Sequence, residues 1–404
     1  MKDVERHFAD VLELGQSLGA ETIKVEEASG RVLAKDIQTR LAVPPFTNSA
    51  MDGFAVRAAD VEPGKEMAVV DDIAAGRTDI PTLPKGKTIR IMTGAPMPHG
   101  ADSVIQVELT ENSEGNMAHQ APASVIFTKS AEPGANVRKA GEDVLPGEKL
   151  VAKGTRLGPS HLSALVSVGY GEIPVVKRPV VGVVTTGEEL KNAGEPLSDG
   201  QIPDSNIVLL SALVAQAGGI AKPLAYHSDN VEEFGARLEE LTSQVDMIVT
   251  AGGVSMGAFD VVKESLGEVE FCKVKMQPGK PQGFGKLGGK PVLCLPGNPV
   301  SVMVSWYLFG HPLLTKLAGR GELYYQELFS AHQAGVEWRR KPGRVQFMPV
   351  IERDGLVVPA SHGGSKSHFV ATTFAATGIA RVPAEQDVVA AGEEISVLWF
   401  GENR

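Results

Sequence analysis

From about Pro174 onward the chain alternates two kinds of apolar pattern. "PVVGVVTTG" is apolar on both faces, and "SNIVLLSALVAQAGG" then spaces its apolar residues three and four apart. The alternation continues through "AKPLAYHSD", "VEEFGARLEELTSQV", "DMIVTAGG", "FDVVKESLG", "VEFCKVKM", "KPVLCLPG" and "PVSVMVSWYLFGHPLLTKL". Runs without a polar side suit strands covered above and below, and amphipathic helices supply the cover. The pattern predicts a doubly wound, mostly parallel α/β unit over 174–327. Asp204 or Ser205 is placed to cap its first helix.

The flanks read differently. Met1 to Leu18 has helical spacing, which predicts a surface helix packed on a larger body. Residues 20–45 read as short strands and turns, and 46–146 as a compact β-rich module: "EMAVVDDI", "KTIRIMTG", "DSVIQVEL", "ASVIFTK". "GPSHLSALVSVGYG" (158–171) predicts a short helix that brings the chain back to the first segment. After about 328 the helical patterns stop, so a small β-domain over 328–404 is expected.

Composition narrows the function. The chain has 404 residues with 43% hydrophobic and 22% charged positions, enough for several cores. Its net charge of −10 argues against nucleic acid as a partner. An anionic substrate would therefore need local donors rather than the overall field. The two cysteines, Cys272 and Cys294, lie in apolar runs without CxxC spacing and read as buried, reduced thiols. No apolar run approaches the ~18 residues of a membrane span, and the N-terminus is amphipathic, unlike a signal peptide. A cytoplasmic protein with no membrane partner is expected.

In open α/β sheets, ligands sit beyond the carboxyl ends of the strands. Four such ends are polar or glycine-rich: "TTGEEL" (185–190), "YHSDN" (226–230), "TAGGVSMGAFD" (250–260) and "LPGNPVS" (295–301). In the third, Gly252 and Gly253 turn the chain, Ser255 offers a hydroxyl and Asp260 stands near a predicted helix start, which suits a phosphate-like or pterin-like ligand. Pro296, Asn298 and Ser301 form the fourth. Neither GxGxxG nor GxxxxGK[ST] follows the first strand, which disfavours a dinucleotide or P-loop site. "KMQPGKPQGFG" (275–285) adds Lys275 and Lys280, either oxyanion contacts or solvated turn lysines. In the β-rich part, "PPFTNSAMDGFAV" carries Asp52, "RIMTGAPMPHGADSVI" carries Thr93, and "RKAGEDV" gathers Arg138, Glu142 and Asp143. Carboxylates at turns suit Mg²⁺, although a lone Asp-Gly serves equally well as a turn device. The histidines show no ligand spacing, so His227, His311, His362 and His368 receive no catalytic role.

Taken in order, these motifs resemble the molybdopterin molybdenumtransferase family of molybdenum cofactor biosynthesis, along nearly the whole chain. The resemblance implies a discontinuous linker domain (20–45 and 147–173), a β-rich insert (46–146), a molybdopterin-binding α/β domain (174–327 with the helix of 1–19), and a C-terminal β-barrel-like domain (328–404). It further implies a homodimer with the active site between the α/β domain of one subunit and the insert of the other. The implied reaction joins molybdate to adenylylated molybdopterin with Mg²⁺-assisted release of AMP. Carried over position by position, Asp52, Glu188, Asp229 and Asp143 are the implied catalytic carboxylates, the first three also metal candidates. Thr93, Arg138, the 250–257 loop, Asp260, Lys275 and Lys280 are the implied substrate contacts. The chain departs from the family pattern at Gln277, where many relatives carry a basic residue, and in "SHGGSKSHFVATTFAATG" (361–378). A molybdopterin adenylyltransferase would need only the α/β domain. A non-catalytic scaffold of the fused type carries a second α/β domain and a long linker. A molybdopterin adenylyltransferase and molybdoenzyme maturation proteins would be the partners in the pathway.

Overall fold

The computed structural model describes residues 1–116, 118–228, 230–254, 265–266, 268–361 and 366–401. Its centre is a six-stranded sheet built from β1 (Val180–Thr186), β2 (Ile220–Tyr226), β3 (Met247–Ala251), β4 (Val269–Lys273), β5 (Pro281–Leu287) and β6 (Lys290–Leu295). The order across it is β2-β1-β3-β6-β5-β4. β2, β1, β3 and β6 are parallel, whereas β5 runs antiparallel to both neighbours. β5 lies in the segment read from sequence as a lysine-bearing turn, because the proline and two glycines of "PQGFGKL" hide a strand pattern.

The apolar strands are apolar for the reason their pattern suggests. Val181, Val183, Met247, Val249, Leu293 and Leu295 point to one face, against α1 (Val4–Glu13), α2 (Ser205–Gln216) and the last helices. Val184, Ile248, Val292 and Cys294 point to the other, against Phe234, Leu238 and Leu241 of α3 (Val231–Thr242). Neighbours in sequence thus serve opposite cores. Burying each such side chain stabilises the fold by roughly 1.5–3 kcal/mol. Gly182 interrupts β1 because a Cβ there would stand 2.9 Å from the Leu241 side chain.

The helix of the N-terminus ends at Glu13, short of Leu18, and Asp3 caps it by accepting from the Glu5 amide at 2.9 Å. "PVSVMVSWYLFGHPLLTKL" is helical throughout but changes type: α4 (Pro299–Ser305), a π turn (Trp306–Gly310) and α5 (His311–Leu317). The pattern over 158–171 becomes a helix at Pro159–Ser167. Strand Ala20–Lys24 pairs antiparallel with Glu172–Val176, and Ile37–Gln38 with Lys149–Val151, so the chain leaves and re-enters the same layer. Between them stands a five-stranded sheet, Ser103–Gln106, Gly53–Val56, Thr88–Ile91, Glu66–Ile73, Ser124–Ile126, with a core on either face. The C-terminal β-sheet begins on a strand from outside its own sequence region: Met276–Gln277 pairs parallel with Val345–Arg353.

Cys294 is fully buried and Cys272 half-buried, and both are free thiols. Burial pushes Cys272 up to about 11, so it stays protonated at neutral pH. His7 lies 3.9 Å from it, edge-on to Phe284 and Phe309. Desolvation, reinforced by Lys2, lowers His7 from 6.5 to about 3, so the ring is buried neutral. The unfolded chain then binds one more proton than the folded one between those two values. Stability is therefore full above about pH 6.5 and falls as pH drops toward 3. Denaturant unfolding over that window should show this loss, and His7→Phe should flatten it by up to one proton; an unchanged slope would exclude His7 as the cause.

Candidate active site

The carboxyl ends of the parallel strands form a polar rim. Asp204 caps α2, its Oδ1 accepting from the Ile207 amide at 3.1 Å, while Oδ2 accepts from Thr185 Oγ1 at 2.5 Å. Asp204 is only 3% exposed, and His227 Nε2 stands 3.8 Å from the same Oδ2. Asn206, the second residue of α2, donates through Nδ2 to the Gly297 carbonyl at 2.7 Å. That bond ties the helix to the loop after β6. Gly252 closes the group: its amide donates to Leu295 O at 3.1 Å, its φ is 99°, and a Cβ would meet Thr186 O at 3.3 Å. Gly253 follows with φ 71°, so the two glycines make the turn expected of them.

Among the described residues, three buried polar atoms on this rim have no hydrogen-bond partner: Asn206 Oδ1, His227 Nε2 and Thr250 Oγ1. Buried polar atoms are ordinarily paired, and orphans of this kind collect where a ligand or ordered water completes the structure. Glu188 is exposed in the turn after β1. Pro296 is buried and Asn298 exposed at the cap position of α4, where its side chain makes no cap bond. Ser301 is buried. Lys275 and Lys280 are half-buried in the turn between β4 and β5, at the same edge. The turn is held by its backbone: the Lys275 amide donates to Lys2 O at 2.8 Å, and Lys275 O accepts from the Val345 amide at 3.0 Å. Asp229, Ser255 and Asp260 lie outside the described residues.

A second group sits on the β-rich insert. Asp52 Oδ1 accepts from the Thr93 amide at 2.7 Å and from Thr93 Oγ1 at 2.9 Å. The Ser49 hydroxyl fastens the same turn, donating to Met51 O at 2.6 Å. Arg138 reaches it through pairing of Val137–Arg138 with Asn48–Ser49, and both Arg138 and Asp143 are exposed. Among the described residues, no hydrogen bond or ion pair joins Asp52, Thr93, Arg138 or Asp143 to the α/β rim. Within one chain the predicted residues thus form two groups.

The donor set is oxygen-rich. Asp52 keeps Oδ2 without a partner among the described residues, and Glu188 is open to solvent. Among the described residues no three His, Cys, Asp or Glu side chains form a ready-made metal cage. Mg²⁺ fits that arrangement, since it takes one or two carboxylates and completes its shell with water and substrate phosphate. Asp204 does not belong in the metal set, because both its oxygens are already engaged. Sequence reasoning saw Asp204 only as a cap, gave His227 no role, and passed over Thr185, Asn206 and Thr250. A cap residue followed two positions later by an amide, beside a strand ending in two threonines, was the available signal.

Three family descriptions match the chain in order: "MoeA N-terminal region (domain I and II)" over residues 2–169, "Probable molybdopterin binding domain" over 182–316, and "MoeA C-terminal region (domain IV)" over 332–400. The chain is 37% identical to Molybdopterin molybdenumtransferase 2 of Mycobacterium tuberculosis, over 98% of this chain and 99% of that protein. It is 35% identical to the Molybdopterin molybdenumtransferase of Haemophilus influenzae over 94% of each. A crystal structure of a molybdopterin biosynthesis MoeA protein from Pyrococcus horikoshii superposes with a TM-score of 0.83 at 32% identity, covering 99% of both chains. By its sequence from end to end and by its fold, the chain belongs to the molybdopterin molybdenumtransferase family, enzymes of molybdenum cofactor biosynthesis.

Proposed function

We propose that this enzyme inserts molybdenum from molybdate into adenylylated molybdopterin with Mg²⁺-dependent release of AMP. The observation that carries the reading is the rim, where Asn206 Oδ1, His227 Nε2 and Thr250 Oγ1 are buried without a hydrogen-bond partner among the described residues, around a two-glycine turn. A rim of that kind suits the polar edge of a pterin, and backbone amides freed by glycine suit its phosphate. Asp52, Glu188 and Asp229 would hold Mg²⁺, which when bound polarises the phosphoanhydride and offsets charge on the leaving AMP. Thr93 fixes the Asp52 carboxylate, while Lys275 and Lys280 offer donors for an oxyanion.

Two separate groups of site residues on one chain fit a homodimer in which the insert of one copy faces the rim of the other. A molybdopterin adenylyltransferase would supply the substrate, and molybdoenzyme maturation proteins would receive the product. No helix among the described residues is long and apolar enough to cross a membrane, which fits work in the cytoplasm.

Purified protein given adenylylated molybdopterin and Mg²⁺ should release AMP faster when molybdate is added, with active cofactor as product. AMP production only from ATP and molybdopterin would instead indicate an adenylyltransferase, and binding without either reaction a scaffold. Asp52→Ala should lower turnover by at least about a hundredfold, the scale of losing a positioned electrostatic group. Its melting temperature should fall only modestly, because the half-buried Asp52 gives up its two hydrogen bonds to Thr93 without opening a cavity in a core. Wild-type turnover in that variant would remove Asp52 from the site.

A further inference from the structure

The end of the α/β sheet opposite the rim has a polar place of its own. β1 starts at Val180 and β2 at Ile220. In front of those starts, a cavity of about 30 Å³ lies between the α/β unit and the layer of Ala20–Lys24 and Glu172–Val176 that carries the insert. β1 is seven residues long. At about 3.3 Å per residue, it separates this cavity from the rim by roughly 20 Å. Arg31, Arg156, Lys177, Arg178 and Arg320 line the cavity together with His311, and no Asp or Glu does. The five cations come from four separate stretches of a chain whose net charge is −10. We propose that this cavity binds a phosphate-class oxyanion, which clamps the insert-bearing layer to the α/β unit.

Like charges repel, so gathering cations from distant segments costs stability unless negative charge joins them. Two local sources are present. Arg31, only 9% exposed, pairs with Glu21 and donates to Val176 O at 2.8 Å. The helices α2 and α5 both end at the cavity wall, at Ala217 and Ala318, and each end carries about half a negative charge. Their last carbonyls are already served by backbone amides: Val214 O and Ala215 O accept from Gly219 and Gly218, and Leu314 O, Thr315 O and Lys316 O from Ala318, Arg320 and Gly319. The side chains of Lys177 and Arg178 make no hydrogen bond or ion pair among the described residues. Their two full charges exceed what two helix ends offset, so the place stays positive.

Its size and donors suit one phosphate group. A volume of about 30 Å³ holds about two waters, which admits the oxygens of a tetrahedral anion and excludes a ring or a base. Arg156 lies on a bare turn, donating through Nε to Gly30 O at 3.3 Å, and a Cβ at Gly30 would stand 3.3 Å from its Nη2. Guanidinium forks match phosphate oxygens in pairs, and the exposed Lys177 and Arg178 complete the outer edge. Inorganic phosphate and a small phosphomonoester share this chemistry. The rival explanation is that the cations serve only the two helix ends.

Calorimetry on the full-length protein titrates inorganic phosphate and, separately, glycerol phosphate, with ionic strength held constant by chloride. Thermal unfolding is followed in the same buffers. The variants are the double substitution Lys177→Gln with Arg178→Gln, and Lys275→Ala at the lysine turn. Wild type should bind phosphate and unfold at a higher temperature in phosphate than in chloride. The double variant should lose about tenfold or more in affinity, the scale of a charge-assisted hydrogen bond, along with the phosphate-induced rise. Lys275→Ala should keep both. Binding of inorganic phosphate alone identifies the free ion, and binding of both ligands identifies the phosphate group in general; either supports the proposal. No phosphate-specific rise in wild type would overturn it and leave the cations as partners of the helix ends. Binding kept by the double variant and lost in Lys275→Ala would overturn it as well, by placing the anion at the lysine turn. None of these readouts needs turnover, so the site and the proposed reaction stand or fall separately.

Discussion

Burial of the parallel strands on both faces is the constraint from which the rest of the structure follows. β1, β3 and β6 present Val181, Val183, Met247, Val249 and Leu293 to one core and Val184, Ile248 and Val292 to the other. With both faces of β1, β3 and β6 closed to water, their polar side chains stand at the strand ends. Thr185, Asp204, His227 and Thr250 all gather at the carboxyl end, where the helices begin. The hydrophobic pattern that makes the domain fold thereby also determines where chemistry is possible.

That rim is not self-sufficient. The lysine turn beside it is held on one side by Lys2 and on the other by the C-terminal sheet, through the Val345 amide and the Arg344 guanidinium. The carboxylate best prepared for a metal, Asp52, stands on the insert and is fixed there by Thr93. Domains far apart in sequence serve one reaction, in the proposed account, by each presenting a stiff local turn. Rigid turns on rigid sheets keep the donors within the narrow tolerances that positioning demands.

Much of the fold was legible because covered strands and amphipathic helices leave strong periodic signals. The four parallel strands could be read directly, and the helix cap was narrowed to Asp204 or Ser205, of which Asp204 is the cap. β5 could not, since Gly283, Gly285 and Pro281 replace the β-branched residues that announce a strand. The C-terminal sheet's pairing with Met276–Gln277 was equally hidden, because two residues carry no periodicity and the pairing is long-range. For the site, glycine turns and turn carboxylates were visible as types of residue. The engagement of both Asp204 oxygens and the orphaned atoms of Asn206 and Thr250 depend on three-dimensional neighbours, which spacing does not encode.

The central claim is that the insert of one copy and the rim of another build each active site. Subunit exchange between Asp52→Ala and Glu188→Ala, each inactive alone, tests it most directly. In a shared site, half of the randomly re-formed dimers carry one intact site of two, so mixing should restore about a quarter of wild-type molybdenum insertion. If both residues act within one chain, every site in the mixture keeps a defect, and activity that stays at the level of the separate variants would contradict the account.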